Sequence, residues 1–590
     1  MPTPSSSQLP PTAQPWIDPA SPDTSAQLAP RMLARRKHRV THDCRPLNER
    51  GAHRDGGLFF FRFRSTLRAI MRRLFPLVLF CTVIARAQDY DVIIRRASLI
   101  DGSGAPAVTG DLAIRGDRIV ALGQLPAGAT GLTEIDAAGR IVAPGFIDVH
   151  THAEDITDLP IAENFLRMGV TTIVTGNCGG SKLNVAELFD AITRTTVAVN
   201  VATLIGHNTV RGQVMGGSFA RPPTSAELDH MRALVAQAMQ DGAVGLSTGL
   251  IYLPGTFAKT DEIVALAKVA SAHGGIYASH MRSESTGIFT ALDELTTIAR
   301  EAKIPAEVSH LKLSGPVTWG RADEIIDYLD KARASGLAIT HDQYAYTASS
   351  TGISALIDSE FREGGAKRYQ ERLADPATKA RMVAEMKDSI ARGKRGDYTY
   401  AVVANFKADR RLNGKTIPQA AKILRGADTL DDQIETILEI ESRGGAQGVF
   451  HGMSEPDLKK FLAQPFTMIA SDAGVRRFGD AVPHPRGYGN NARILARYVR
   501  EQKVISLEDA VRKMSSLPAK TFQLRDRGEL RPGAFADIVI FDPATVSDPS
   551  TYDDPHHYAL GFTEVIVNGV PVIRDTRLTG ARPGTPVRLK

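Results

Sequence analysis

Between residues 145 and 470, short apolar runs alternate with longer stretches whose apolar residues recur every three to four positions. The runs are 145–149, 171–175, 201–205, 243–246, 276–279, 306–309, 338–341 and 466–470. Unbroken apolar runs of this length suit strands buried on both faces, and the intervening period suits helices that cover them, as over 226–239 and 260–272. Eight such strand–helix units predict an α/β fold, a (β/α)8 barrel whose active site lies at the C-terminal ends of its strands.

The two ends have another texture. Residues 90–94, 111–114 and 118–122, and again 536–540 and 564–569, read as short strands separated by turns and Gly-rich breaks. This predicts a small β-sandwich built from both ends of the chain, parts 88–143 and 521–590, around a barrel spanning 144–520. A charged stretch over about 352–450, between strands seven and eight, predicts an inserted helical lobe over the mouth. Residues 1–70 are rich in Pro, Ser and Arg without period and predict disorder. Arg72 and Arg73, the apolar run 74–84 and Ala85-Arg86-Ala87 have the three parts of a secretory signal over 71–87. Translation from Met71 would place that signal at an N-terminus, and the expected location is the periplasm or the exterior.

The formal charge of +6 misleads. Residues 1–87 carry 14 Lys/Arg against 5 Asp/Glu, leaving 57 bases and 60 acids for the rest, so a nucleic-acid-binding body is not supported. Of three cysteines only Cys178 lies beyond the leader, which excludes an intrachain disulfide there.

Candidate chemistry collects at the strand ends. Strand one runs through Pro144-Gly145-Phe146-Ile147-Asp148-Val149 into His150-Thr151-His152, two imidazoles two residues apart and so on one face. Strand two leads to Gly176-Asn177-Cys178-Gly179, strand five to His280, strand six to His310 and strand eight to Asp472. Four His, one Cys and one Asp at one rim predict a metal site, since three nitrogen or sulfur ligands plus an open position make a catalytic zinc centre. Lys312, two residues past His310, points into the mouth, and Arg282 has the same spacing from His280. His207, His341 and His451 read as structural.

These motifs resemble the amidohydrolase superfamily, and Gly-Asn-Cys-Gly after strand two resembles its D-aminoacylase (N-acyl-D-amino-acid deacylase) branch. Residues 249–255 (Gly-Leu-Ile-Tyr-Leu-Pro-Gly), Ser279-His280-Met281-Arg282, Ser309-His310-Leu311-Lys312, Asp342-Gln343-Tyr344, Ser471-Asp472 and His484-Pro485-Arg486 agree with that branch. The chain departs from it at Tyr344-Ala345-Tyr346, where the family has Tyr-Pro-Tyr. The resemblance implies one tightly bound zinc on Cys178, His280 and His310, and a second, weaker site at His150, His152 and Asp472. It implies hydrolysis of N-acyl-D-amino acids with metal-activated hydroxide and Asp472 as general base and acid. Tyr252, Arg282, Lys312, Tyr344, Ser350 and Arg486 would bind the small-molecule substrate.

Two other hydrolases compete: a cyclic amidase of the hydantoinase or dihydroorotase kind and a D-specific dipeptidase. The former usually needs a strand-four lysine, which Gly245-Leu246-Ser247-Thr248-Gly249 lacks. A binding or scaffold protein on the same shell would be expected to lose ligands, and all six are present. The oligomeric state is open, and no stable membrane insertion is expected once the signal is cut. The mature protein is expected to begin at Gln88 or within a few residues; sequencing the N-terminus of the secreted form checks this, and Met1 found there refutes it.

Overall fold

A computed structural model describes residues 89–589; the leader, including the signal expected at 71–87, lies outside the described residues. Eight parallel strands, each within a few residues of its expected place, surround the barrel core. Phe146–Asp148, Val170–Thr175 and Asn200–Thr203 pair in sequence order. Ile205–Gly206, Gly245–Gly249, Ile276–His280, Ala306–Val308, Ile339–Gln343 and Thr467–Ile469 form a second run. The two runs meet at Leu204, which interrupts the third strand. They meet again between strands one and eight, where the His152 amide donates to Ala473 O and the Asp472 amide to His150 O, both at 2.9 Å. The strands are buried almost throughout, which explains their unalternating apolar sequences.

Helices shield this cylinder with one stripe each. Ile288–Ala302 buries Ile288, Ala291, Leu292, Leu295, Ile298, Ala299 and Ala302, the three-to-four spacing of a helix face. Ser225–Gln240 starts at Thr224, whose hydroxyl accepts from the Glu227 amide while the Glu227 carboxylate accepts from Thr224 N–H.

The strands from the two ends of the chain join in one nine-stranded sheet. Ile141–Pro144 runs antiparallel to Ile538–Phe541 at the junction, with Ile538 opposite Pro144. The two segments thus share one continuous hydrogen-bonded sheet. Phe146 at the start of the barrel packs on Phe541 and Phe562 of that sheet, with ring centres 6.2 Å from each.

The inserted lobe is largely helical, as its sequence predicts, but not helix alone. It contains an antiparallel sheet, ordered Ala348–Gly352, Gln447–His451, Ala401–Asn405, and its own apolar core, including Ile353, Met382, Ile434 and Leu438. The helices carry their charge on the face away from this core, which is why the sequence reads as charged. Among the described residues no helix is long and apolar enough to cross a membrane.

Candidate metal centre

Strand one ends at Asp148, so His150 and His152 lie in the turn beyond it, their rings 5.6 Å apart. Each of the next turns is bent inward by a residue with positive φ: Cys178 (51°), His310 (38°) and Asp472 (52°). Non-glycine residues seldom adopt this region, and it collects at functional sites. Glycines permit the bend at Cys178. A Cβ on Gly249 would collide with Cys178 O, and Gly179, itself at φ 77°, lies against Asn208. Asn177 pins the loop to the barrel, its amide donating to Val149 O at 3.1 Å and Val174 O at 3.0 Å.

The result is a thiol surrounded by imidazoles. Cys178 Sγ lies 3.3 Å from His150 Nε2, 3.6 Å from His280 Nδ1 and 3.7 Å from His310 Nε2. Asp472 Oδ1 is 3.2 Å from His152 Nε2 and 3.6 Å from His150 Nε2. Burial alone would raise the Cys178 thiol, but the charge of His150 and hydrogen bonds from His150, His152 and His280 hold it well below its usual value. Two ligands on a tetrahedral zinc, at about 2.3 Å for sulfur and about 2.0 Å for nitrogen, lie about 3.6 Å apart. The Cys178–His280–His310 separations fit that spacing. The three groupings Cys178–His280–His310, His150–His152–Cys178 and His150–His310–Asp472 each bring their donor atoms within 4.8 Å of one another. The residues therefore fit a metal, with Cys178 adjoining two groupings.

Carboxylates stand behind the histidines. Asp342, at the end of strand seven, places Oδ2 3.0 Å from His150 Nδ1 and accepts the His310 amide on Oδ1 at 3.0 Å. That bond leaves His150 Nε2 facing Cys178. Glu284 Oε1 lies 2.9 Å from His310 Nδ1 and also accepts from Lys312 Nζ, while Oε2 is 3.8 Å from His280 Nε2. Burial would raise Glu284, but Lys312, His280 and His310 hold it well below the usual carboxylate range. Neither Asp342 nor Glu284 stood out in the sequence as a site residue. Asp342 carries the same signal as the ligands, a polar residue ending an apolar strand. Glu284 follows His280 by four residues in an irregular loop, and no pattern aims it.

Two chambers flank the cluster and share Tyr252, Ser350, Thr351 and Asp472. The inner one, about 200 Å³, adds Lys312, Ile251, Leu356, Tyr400 and Phe450. The outer one, about 510 Å³, adds His152, Cys178, Arg486 and Arg476. The Tyr252 ring lies 4.8 Å from that of His280, and its hydroxyl accepts from Thr351 Oγ1 at 3.1 Å. Ser350 Oγ donates to Gly448 O at 2.9 Å. Tyr344 is buried beneath Arg486, whose guanidinium sits 4.6 Å from the ring centre. Arg486 NH1 is 2.8 Å from Asp472 Oδ2; the pair is electrostatic, the N–H not aligned on the oxygen. Arg282 is not brought to the chambers: it is taken up by Glu294 and by the carbonyls of Thr256 and Ala258, all at 2.9 Å. No lysine stands on strand four, where Ser247 donates to Gly176 O and Thr248 to Ser279 Oγ.

The pattern of the Amidohydrolase family matches residues 133–573. The chain belongs to the amidohydrolase family. This amidohydrolase is 35% identical over 528 residues to the D-aminoacylase of Alcaligenes xylosoxydans xylosoxydans, covering 84% of this chain and 97% of that protein. It is 36% identical over 519 residues to the N-acyl-D-aspartate deacylase of the same organism, covering 84% and 94%. Its fold superposes on the crystal structure of the N-acyl-D-glutamate deacylase of Bordetella bronchiseptica, complexed with zinc and a phosphonate inhibitor, with a TM-score of 0.73 at 32% identity, covering 85% and 99%.

The contacts of Glu284 and Cys178 set an expectation for metal retention. Cys178→Ala is expected to hold no tightly bound metal, and Glu284→Gln to weaken metal affinity about 10- to 100-fold by loosening His310 and His280. Competition with a chromophoric chelator measures both, and parental retention in both variants would remove Cys178 as ligand and Glu284 as its support.

Proposed function

We propose that this amidohydrolase is a zinc-dependent N-acyl-D-amino-acid deacylase, releasing a carboxylate and a free D-amino acid. The observation that carries the reading is the Cys178–His280–His310 cluster beside an ionised Asp472, open to two chambers. It is supported by relatives whose names specify N-acyl-D-amino-acid substrates. Cys178, His280 and His310 would hold the tighter metal, and His150, His152 and Asp472 the weaker. A metal held there supplies Lewis acidity toward the amide carbonyl and lowers the pKa of water.

The protein's own groups handle protons and orientation. Burial would raise Asp472, but Arg486, His150 and His152 hold it well below its usual value, so it stands ready to accept a proton. From its place beside both chambers Asp472 takes a proton from the attacking water and returns it to the departing nitrogen, which leaves poorly as an anion. The Lys312 ammonium directs one N–H to Glu284 and a second to His310 Nδ1 at 2.8 Å, which leaves one for a substrate α-carboxylate in the inner chamber. Tyr252 and Ser350 frame the same space, whereas Tyr344 does not line it and lies buried behind Lys312, its ring centre 6.0 Å from Nζ.

Turnover of paired N-acetyl-D- and N-acetyl-L-amino acids by the zinc-reconstituted protein tests the reading. The D series is expected to be cleaved and the L series not, and Asp472→Asn should lower kcat by ~100-fold or more. Cleavage confined to cyclic amides, or an Asp472→Asn variant with parental kcat, would overturn it. Lys312→Met is expected to act mainly through KM, lowering kcat/KM by roughly one to two decades. It should also erase the preference for N-acyl-amino acids over their carboxamides; a variant that still discriminates like the parent would move the carboxylate elsewhere.

A further inference from the structure

Three Lys or Arg side chains line the two chambers, and two are already matched. Lys312 is held by Glu284 and Arg486 by Asp472. Arg476 is different. Among the described residues its guanidinium has neither an ion pair nor a hydrogen bond, and its Nε is buried without a partner. Burial and then the charge of Arg486 lower its pKa, against the weaker opposing pull of Tyr488, Asp155 and Asp472. Asp155, which also lines the outer chamber, is exposed at the rim and makes no ion pair with it.

The residue is nonetheless held firmly. The Arg476 amide donates to Asn164 Oδ1 at 3.2 Å, and buried Asn164 in turn donates to Gly474 O at 3.3 Å and Gly487 O at 3.0 Å. The side chain lies against Gly487, where a Cβ would stand 3.5 Å from its Cγ. An unsolvated N–H is costly unless something accepts from it, and a guanidinium offers a planar fork suited to a carboxylate. The chamber that Arg476 lines is also lined by Cys178, His152 and Asp472, so a group attached to the scissile amide reaches it.

We propose that Arg476 is a carboxylate receptor in the outer chamber, and that the preferred substrates carry a second carboxylate besides the α-carboxylate. This rests on the deacylase reading and names its substrate class. The second carboxylate has two chemical sources: an acidic D-amino-acid side chain, or a dicarboxylic acyl group such as succinyl. Both put an oxygen pair a few bonds from the amide, and both are anions that an apolar chamber would reject.

The test compares kcat/KM of the zinc-loaded parent and Arg476→Met on N-acetyl-D-leucine, N-acetyl-D-glutamate and N-succinyl-D-leucine. At least one dianionic substrate should exceed N-acetyl-D-leucine in the parent. For that substrate the advantage should fall by roughly 10- to 100-fold in Arg476→Met and partly return in Arg476→Lys. The substrate that responds identifies the source of the carboxylate. Equal loss on all three substrates, or none on any, overturns the assignment. Calorimetric titration of the holoprotein with glutarate and with butyrate separates this from failure of the deacylase reading. Glutarate should bind the parent at least ~10-fold tighter than Arg476→Met, with butyrate much less affected. Equal glutarate binding sinks the proposal even if amides are cleaved, whereas absence of turnover with glutarate binding intact would sink the deacylase reading alone.

Discussion

A thiol buried among imidazoles is the constraint on which the rest of the structure depends. A thiolate in an apolar interior is strongly unfavourable unless cationic or hydrogen-bonding groups surround it. Meeting that condition for Cys178 draws in the ends of strands one, five and six, and Asp472 from strand eight, and each of those groups needs a partner in turn. His150 leans on Asp342, His310 on Glu284, and Asp472 on Arg486. Glu307 shows the limit of this arrangement: burial first, then the charge of Asp342, push its carboxyl well above the usual range, so it is held as a neutral acid beneath the cluster.

The barrel tolerates such a concentration of charge because its walls do not depend on it. Strand interiors carry few ionisable groups, Glu307 of strand six being one, and the cluster gathers at and just beyond the strand ends. The left-handed backbone at Cys178, His310 and Asp472 is the cost of turning those side chains inward, of order 1–3 kcal/mol each. That cost is sustained by the surrounding clamps: Asn177 on strand one, the Asp148 carboxylate accepting the Ser471 amide at 3.0 Å, and Asp342 accepting the His310 amide.

The fold was legible because buried strands and amphipathic helices have different periods, and all eight barrel strands show theirs. The candidate ligands stand out in the sequence because each lies at or just past the C-terminal end of a strand. The helical lobe was legible, but its short strands were not, because its elements bury a single face each, which charged residues outnumber locally. Arg282 illustrates a different failure. Its spacing from His280 matches that of Lys312 from His310, yet Glu294 on the following helix captures it, and no one-dimensional pattern reveals a partner twelve residues away. Glu284 and Arg476 were invisible for the same reason: their roles lie in what they face across the mouth.

Charge accounting connects the cluster to the substrate. Once a bound metal takes the place of the protons on the imidazoles, the formal anions packed around the donors are Cys178, Asp342, Asp472 and Glu284, and the cations are Lys312 and Arg486. Two negative charges remain, which one divalent cation balances. A second divalent ion would leave the buried site positive, which a low-dielectric interior resists unless another anion enters with it. The same accounting applies to the substrate. An α-carboxylate arriving at Lys312 meets a cation whose charge Glu284 already offsets, so its attraction there comes from hydrogen bonds and the metal rather than from spare charge. Arg476 lines the outer chamber without an ion pair or hydrogen bond to its guanidinium among the described residues, with Asp155 and Asp472 acting on it only at longer range.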